Sequence, residues 1–339
     1  MRSRGSAAAV LLVAVALLAP AASAQRAGEA EAPAKIEITA KPIAAFEPRH
    51  ADRRQFGPLR FRGGLSLSSS YPAFGGFSGL RLEPDGEHFI AVSDKADWLH
   101  GRIVYRDGTP VGIADAEMAP MLGPDGRTLA ARGWFDTESL ARDGGTLYVG
   151  IERSHHIVKF DYGRHGLAAR AQPLRIPQAI RSLPRNKGIE ALAAVPKGMP
   201  HAGTLIAISE RGLDSDGNIR GWLIGGATPG AFSLKRRDDF DVTDAAITPD
   251  GDLIILERFF SFLRGVAMRM RRVPLSAVKP GAVLDGTILV TADMGFQIDN
   301  MEGLSAHRSP EGETVLTLIS DDNFSLIQRT LLLQFTLTE

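Results

Sequence analysis

Five segments of this chain can be laid over one another, and that repeat confines it to a fold built from copies of one antiparallel hairpin. They read SGLRLEPDGEHFIAVSD (78–94), ESLARDGGTLYVGIE (138–152), EALAAVPKGMPHAGTLIAISE (190–210), DAAITPDGDLIILE (244–257) and EGLSAHRSPEGETVLTLISD (302–321). Each has a short strand, a turn, a second apolar strand and an acid. The turns carry Pro84-Asp85-Gly86, Asp143-Gly144-Gly145, Pro249-Asp250-Gly251 and Pro310-Glu311-Gly312. Proline presets φ and glycine accepts positive φ, so these are hairpin turns for a stated reason. The equivalent positions 78, 138, 190, 244 and 302 are 60, 52, 54 and 58 residues apart.

Further strands follow the hairpins, at IVKFDY (157–162), IRGWLI (219–224), VAMRMRRV (266–273) and TLLLQFTL (330–337). Fourth strands fit PLRIP (173–177), AFSL (231–234) and TILVTA (287–292), and no amphipathic helix of ten or more residues is apparent after the leader. Four short antiparallel strands per unit of about 40–60 residues is the pattern of a β-propeller. The reading is therefore all-β, with five visible four-stranded blades. A sixth blade stays open over residues 35–68, as does the alternative that this stretch supplies a strand closing the last blade. One blade cannot bury both its faces, so residues 57–339 are read as a single domain. A pair of β-sandwiches would require five acid-to-acid hairpins to coincide by chance.

The first residues belong to export rather than to the fold. Arg2 and Arg4 precede a 13-residue apolar run (7–19), and Ala22-Ser23-Ala24 gives a small-x-small cleavage pattern. That is a secretory signal peptide over 1–24, cleaved after Ala24, with a periplasmic or secreted product expected. The run is too short to span a bilayer, which takes about 20 residues. Residues 25–56 read as an N-terminal spacer with the candidate closing strand. Lys plus Arg is 39 and Asp plus Glu is 39; losing Arg2 and Arg4 leaves 37 against 39, a net charge of −2. No basic excess exists to bind nucleic acid. Cysteine is absent, which removes disulfides, thiol nucleophiles and cysteine-ligated metals together.

The acids carry the functional reading. Glu138, Glu190, Asp244 and Glu302 start first strands, with Ser78 in the first copy; Asp94, Glu152, Glu210, Glu257 and Asp321 end second strands. Antiparallel pairing puts a strand's start beside its partner's end, so the repeat gathers these acids at one mouth of the channel. Like charges so close need compensation. Two sources are available: Arg153, Arg211 and Arg258, each directly after a strand-ending acid, or a bound hard divalent cation such as Ca²⁺, which takes six to eight oxygens. The last copy is densest, with Asp299-Asn300-Met301-Glu302 before its first strand and Asp321-Asp322-Asn323 after its second. Asn186-Lys187-Gly188 adds a cation and an amide to the same rim. Lysine and arginine there would hold phosphate oxygens.

Several chemistries lack their motifs. There is no Gly-x-Ser-x-Gly elbow, no phosphate-binding loop and no dinucleotide fingerprint. His155-His156 follows Glu152-Arg153 in a turn, where a bystander role is the simpler reading. The run Arg269–Arg272 alternates on a strand as a solvated face would.

The stretches NKGIEAL (186–192), DAAITPDGDLIILER (244–258), DNMEGL (299–304) and SDDNFSLIQRTLLLQF (320–335) together resemble the phytase-like, "esterase-like activity of phytase" family of secreted bacterial proteins. The resemblance runs over about residues 57–337. It implies a propeller, an exported life, and hydrolysis of phosphate or carboxylic esters. It also implies calcium at an acid-rich mouth, which would fall here on Glu138, Glu190, Glu210, Asp244, Glu257, Glu302, Asp321 and Asp322. Three functions follow for test. The first is a metal-dependent hydrolase acting on a small anionic or ester substrate. In it Asp299 joins the metal ligands, Glu190, Glu302, Asp322 and Lys187 do the catalysis, and Arg153, Arg211, Arg258 and Asn323 bind substrate. The second is a lactonase-like metal hydrolase. The third is a non-catalytic envelope scaffold or ligand-binding propeller.

Overall fold

The computed structural model describes residues 32–338; the signal peptide read over 1–24 and the first part of the spacer lie outside them. Five antiparallel sheets stand around one axis as the blades of a propeller. Blade 1 is formed by Phe77–Leu82, His88–Ser93, Asp97–Arg106 and Thr109–Pro120, with Ala34–Lys35 paired to its outer edge. Blade 2 is formed by Thr137–Asp143, Thr146–Ile151, His156–Asp161 and Gln172–Pro173. Blade 3 runs Ile189–Ala194, Thr204–Leu213, Ile219–Gly225 and Gly230–Leu234, then takes Val283–Leu284 in parallel. Blade 4 is Asp241–Ile247, Asp252–Ser261, Gly265–Pro274 and Thr287–Ala292.

Blade 5 closes the ring. Its strands Asn300–Arg308, Thr314–Asp321 and Thr330–Leu337 are followed outward by Leu59–Ser68 and Thr39–Ile43 from the start of the chain. The region left open for a sixth blade is spent on this closure, so the propeller has five blades. The expected fourth strand at PLRIP is reduced to Gln172–Pro173. Pro173 and Pro177 lack the N–H that a longer ladder needs, and the chain turns into a four-residue helix, Gln178–Arg181.

The inner strands Phe77–Leu82 and His88–Ser93 are buried along almost their whole length, on both faces. That is why these segments read as continuous apolar runs rather than alternating ones. The buried faces form five apolar layers, one between each pair of neighbouring blades. The layer between blades 4 and 5 takes in Phe46, Phe56, Phe61 and Phe335, whose rings pack 5.0–5.7 Å apart around Phe46. Near the axis the blades crowd, and glycine marks the tightest approaches. A Cβ on Gly79 would lie 2.9 Å from Leu140 Cβ, and one on Gly303 3.0 Å from the Leu80 backbone nitrogen.

Arg81 plugs the middle of the channel. Its guanidinium donates to Leu80 O (2.5 Å), Leu192 O (2.6 Å), Leu304 O (2.6 Å) and Ala245 O (3.0 Å), and to both carboxylate oxygens of Asp244 at 2.8 and 3.0 Å. Asp244 also accepts the N–H groups of Ala245 and Leu304. One side chain thereby ties blade 1 to blades 3, 4 and 5. Burial pushes the Asp244 carboxyl up to about 6, against the pull of Arg81. Replacing Arg81 by Met leaves that carboxylate buried without its cation. In urea unfolding the variant should lose about 3–5 kcal/mol. Adding Asp244→Leu should restore part of it. A loss below about 1 kcal/mol would show that the plug is dispensable.

Candidate metal centre at the channel mouth

A residue is inserted at the same place in every inner hairpin. The pairing registers step over Ser78, Glu138, Glu190, Thr243 and Glu302, one per blade. A bulge bends the strand and re-aims the side chain it carries. One residue past the partner of the residue before each bulge come Asp94, Glu152, Glu210, Arg258 and Asp321. Blade 4 thus puts a threonine and an arginine where its neighbours put acids.

The result is a cavity of about 270 Å³ lined by Asp94, Asp136, Glu138, Glu152, Glu190, Glu210, Glu302 and Asp321, with Asn186, Asn323 and Arg258. Eight carboxylates face one guanidinium. Arg258 donates to Glu302 Oε1 (2.8 Å) and Asn300 Oδ1 (2.5 Å), and its other nitrogen lies 3.8 Å from Glu210. The Asn300 amide donates to Glu302 (2.8 Å) and Asp321 (3.3 Å). Glu152 accepts the Gly188 N–H at 2.7 Å. One arginine cannot offset this crowd, and burial among like groups shifts each acid towards its protonated form. Burial, then the Glu302 charge, raises Glu138 well above the usual carboxylate range. Burial raises Glu190 likewise, with Glu138, Glu152 and Glu210 adding to it. Burial pushes Glu210 and Asp321 up to about 7 and Asp94 to about 6. Glu152, Asp136 and Glu302 rise for the same first cause, Glu302 against the pull of Arg258.

The donor set fits a hard divalent cation. It is almost all carboxylate oxygen, supplied by four blades. Oxygens of Glu152, Glu190 and Glu210 lie within 4.8 Å of one another. Two oxygens at calcium's ligand distance of about 2.3–2.6 Å from a shared ion cannot be much farther apart than that. One oxygen of Asp94 is buried with no hydrogen-bond partner. Such an orphan has a use where an ion offers it a bond.

The mouth gathers Asp94, Glu138, Glu152, Glu190, Glu210, Glu302, Asp321, Arg258, Asn186 and Asn323 from the residues the sequence put at the rim. It does not gather the others. Asp244 lies deeper, on Arg81, and Glu257 is fully buried against Arg271. Both stand one residue out of step with the acids they were aligned to, because blade 4's bulge is at Thr243. Asp299 is taken up by the Arg329 backbone N–H (3.1 Å) and by Asn300 N. Asp322 holds Gly76 N, Phe324 N and Thr330 Oγ1. Arg153 stacks over Phe135, Arg211 lies 3.4 Å from Asp241, and Lys187 is outside the lining. Asp136 is the lining acid that the repeat did not reveal. It sits two residues before Glu138, as Asn300 does before Glu302, which was the available signal. Its φ of 69° is left-handed, a conformation Asp tolerates better than most residues.

A larger cavity, about 490 Å³, opens at the other end of the channel, beneath Arg81. Its walls are largely Ala193, Ala194, Met199, Ala246 and Pro249, and its Arg142 and Arg308 are bound to Glu83 and Asp250. It offers shape with little chemistry.

Residues 72–324 match the phytase-like family described by its "esterase-like activity of phytase", and the chain belongs to that family. No curated protein matches the chain. Among solved structures it is similar to the glutaminyl cyclase of Myxococcus xanthus, at 13% identity and a TM-score of 0.39 over 78% of this chain and 92% of that one. It is also similar to U3-55K, at 11% identity and a TM-score of 0.37 over 81% and 98%. The WD40 repeats of RRP9 give 10% identity and a TM-score of 0.36 over 83% and 99%.

Each raised acid binds its proton more tightly in the folded chain than in the unfolded one. The stability this supplies is complete below the ordinary values of 3.8 and 4.5 and is lost as pH rises through about 6 and about 7. The metal-free protein should therefore melt at falling temperature between about pH 4 and pH 7, and added Ca²⁺ should reverse the fall at pH 7 and above. Glu138→Gln with Glu190→Gln should raise metal-free stability at pH 8 by about 1–2 kcal/mol and shrink the calcium effect. A lower melting temperature with and without metal would make these acids structural partners instead.

Proposed function

We propose that the chain is an exported, divalent-cation-dependent hydrolase of phosphate or related esters, working at the acidic mouth, with Ca²⁺ the first candidate ion. The observation that carries this is the convergence of eight carboxylates with one arginine on a single small cavity, in a chain of the phytase-like family. Glu138, Glu152, Glu190, Glu210, Glu302 and Asp321 would hold the cation, with Asp94 and Asp136 at its edge. When bound, the ion would supply Lewis-acid polarisation of the ester oxygen.

The chain's own residues would do the rest. Arg258 is the guanidinium that lines the cavity, and its charge would hold the anionic part of the substrate. Glu190 and Glu302 sit on bulges at the inner edge of the mouth, are buried, and have raised affinities for protons. Whichever of the two is not on the ion would suit the acid–base part, because an upward-tuned carboxyl takes up a proton more readily than an ordinary one. Asn186 and Asn323 would orient the substrate from the rim, with Lys187 beside them. Asp322 would act by position: it fixes Gly76, whose carbonyl receives the Asp94 N–H at 2.9 Å. Export rests on the leader sequence. Among the described residues no helix is long and apolar enough to cross a membrane.

The test is hydrolysis of p-nitrophenyl phosphate and p-nitrophenyl acetate by the mature chain, before and after chelation and with Ca²⁺ returned. Phosphate-ester cleavage should vanish on chelation and return with the ion. Glu190→Gln should lower the turnover rate about 100-fold or more at unchanged fold. Cleavage that survives chelation, or no cleavage of either ester in the presence of metal, would defeat the proposal.

A further inference from the structure

One side of the acidic mouth is bordered by side chains that the fold leaves in water. Nine large apolar side chains are exposed among the described residues, and six of them fall on adjoining segments of blades 4 and 5: Phe260, Phe262, Leu263, Met294, Leu326 and Ile327. Scattered exposure is ordinary in a folded chain, and this clustering is not. They belong to three connections. The hairpin 261–265 joins Asp252–Ser261 to Gly265–Pro274. Residues 293–299 lead into the inner strand of blade 5. Residues 322–329 join Thr314–Asp321 to Thr330–Leu337. All three lie at the end of the sheets that carries Arg258, Asn300 and Asp321, which is the mouth.

The three connections abut. A Cβ on Gly265 would lie 3.0 Å from Met294 Cγ. Arg329 donates to Gln297 Oε1 at 2.9 Å and to Ile298 O at 3.0 Å. The pairing of Arg258 through Ser261 with Met268 through Gly265 is unbroken, so Arg258 and Phe260 share one face of the strand. An apolar edge therefore rises directly from the mouth. The Phe260 and Phe262 rings stand 5.6 Å apart. At the summit Phe262, Leu263 and Ile327 are 98%, 99% and 91% exposed, so they are tips that project rather than walls that enclose.

We propose that this edge is a membrane-docking surface, at which the tips of blades 4 and 5 enter the interfacial layer of a phospholipid bilayer and hold the mouth against it. A side chain open to water on all sides is matched by a fluid apolar medium that closes around it. A single ligand chain or a rigid partner would cover one side only. The charges beneath the tips suit headgroup phosphates: Arg264 is exposed directly after Leu263, and Arg329 stands two residues after Ile327. Of the acids on these connections, Asp299 is engaged by Arg329 and Asp293, beside Met294, accepts the Gly295 N–H. The formal net charge of the chain is zero, so no basic excess calls for an anionic surface, and a zwitterionic one is the partner of choice. This goes beyond the hydrolase reading and does not depend on it, since binding is read without turnover.

The test is flotation of the purified mature chain with phosphatidylcholine vesicles. The wild type should float with them. The variant Phe262→Ser, Leu263→Ser, Leu326→Ser, Ile327→Ser should partition about tenfold less or lower still, with an unchanged melting temperature, because the replaced groups contribute no packing. In a second measurement, the emission of Leu263→Trp should be quenched by vesicles brominated in the acyl chains. A wild type that stays with the aqueous fraction, equal flotation of the variant, or an unquenched Trp at position 263 would overturn the proposal. So would a wild-type dimer that the serine variant converts to a monomer, which would assign the edge to a second copy of the chain.

Discussion

The buried guanidinium of Arg81 sets the geometry on which the rest depends. Five inner strands must meet around an axis, and at that axis their carbonyls and the Asp244 carboxylate need donors. Arg81 gives two donors to Asp244 and the others to carbonyls of blades 1, 3, 4 and 5. An arginine suits this place because its planar fork stays charged and donates in several directions at once. The plug also divides the channel. Beneath it lies an apolar hollow, and beyond it the acids have a floor they cannot cross.

With that floor in place, a regular device produces an irregular site. Every inner hairpin carries its bulge at the same level, so every blade has two side-chain positions at the level of the mouth. Ten positions are thereby available. Seven hold acids; Ser78, Thr243 and Arg258 fill the others, and Asp136 joins from outside the pattern. The single arginine on blade 4 breaks the ring and gives the mouth a direction, with Glu302 and Glu210 leaning to it and Glu138, Glu152 and Glu190 left to one another. Burial holds Glu138 and Glu190 well above the usual carboxylate range, and Glu190 also joins Glu152 and Glu210 in the cluster whose oxygens lie within 4.8 Å of one another.

Much of this was legible in the chain, because hairpin turns and apolar runs are local signals. The propeller, the position of the mouth and most of its acids follow from the repeat. The failure in blade 4 is instructive. Asp244 and Glu257 look like the acids of the other copies, and alignment by residue type puts them on the ring. Counting from the turn does not: Thr243 is six residues before Pro249, as Ser78 is six before Pro84. Register is measured from the turn, and a one-residue slip sends a side chain elsewhere. Asp136 was hidden for another reason, since it precedes the paired strand and reaches the mouth through a left-handed backbone angle. The outer hairpin Asp97–Pro120 carries an Asp107-Gly108 turn, but its partly solvated strands lack the apolar runs that betray the inner ones.

The central claim is that the mouth keeps protons only until a cation replaces them. Calcium titration calorimetry near pH 7, run in buffers of different ionisation heat, tests it most directly. The account expects binding accompanied by release of at least about one proton per ion, because the carboxyls raised to about 7 must ionise when the ion arrives. Absence of calcium binding, or binding whose heat is the same in every buffer, would contradict it.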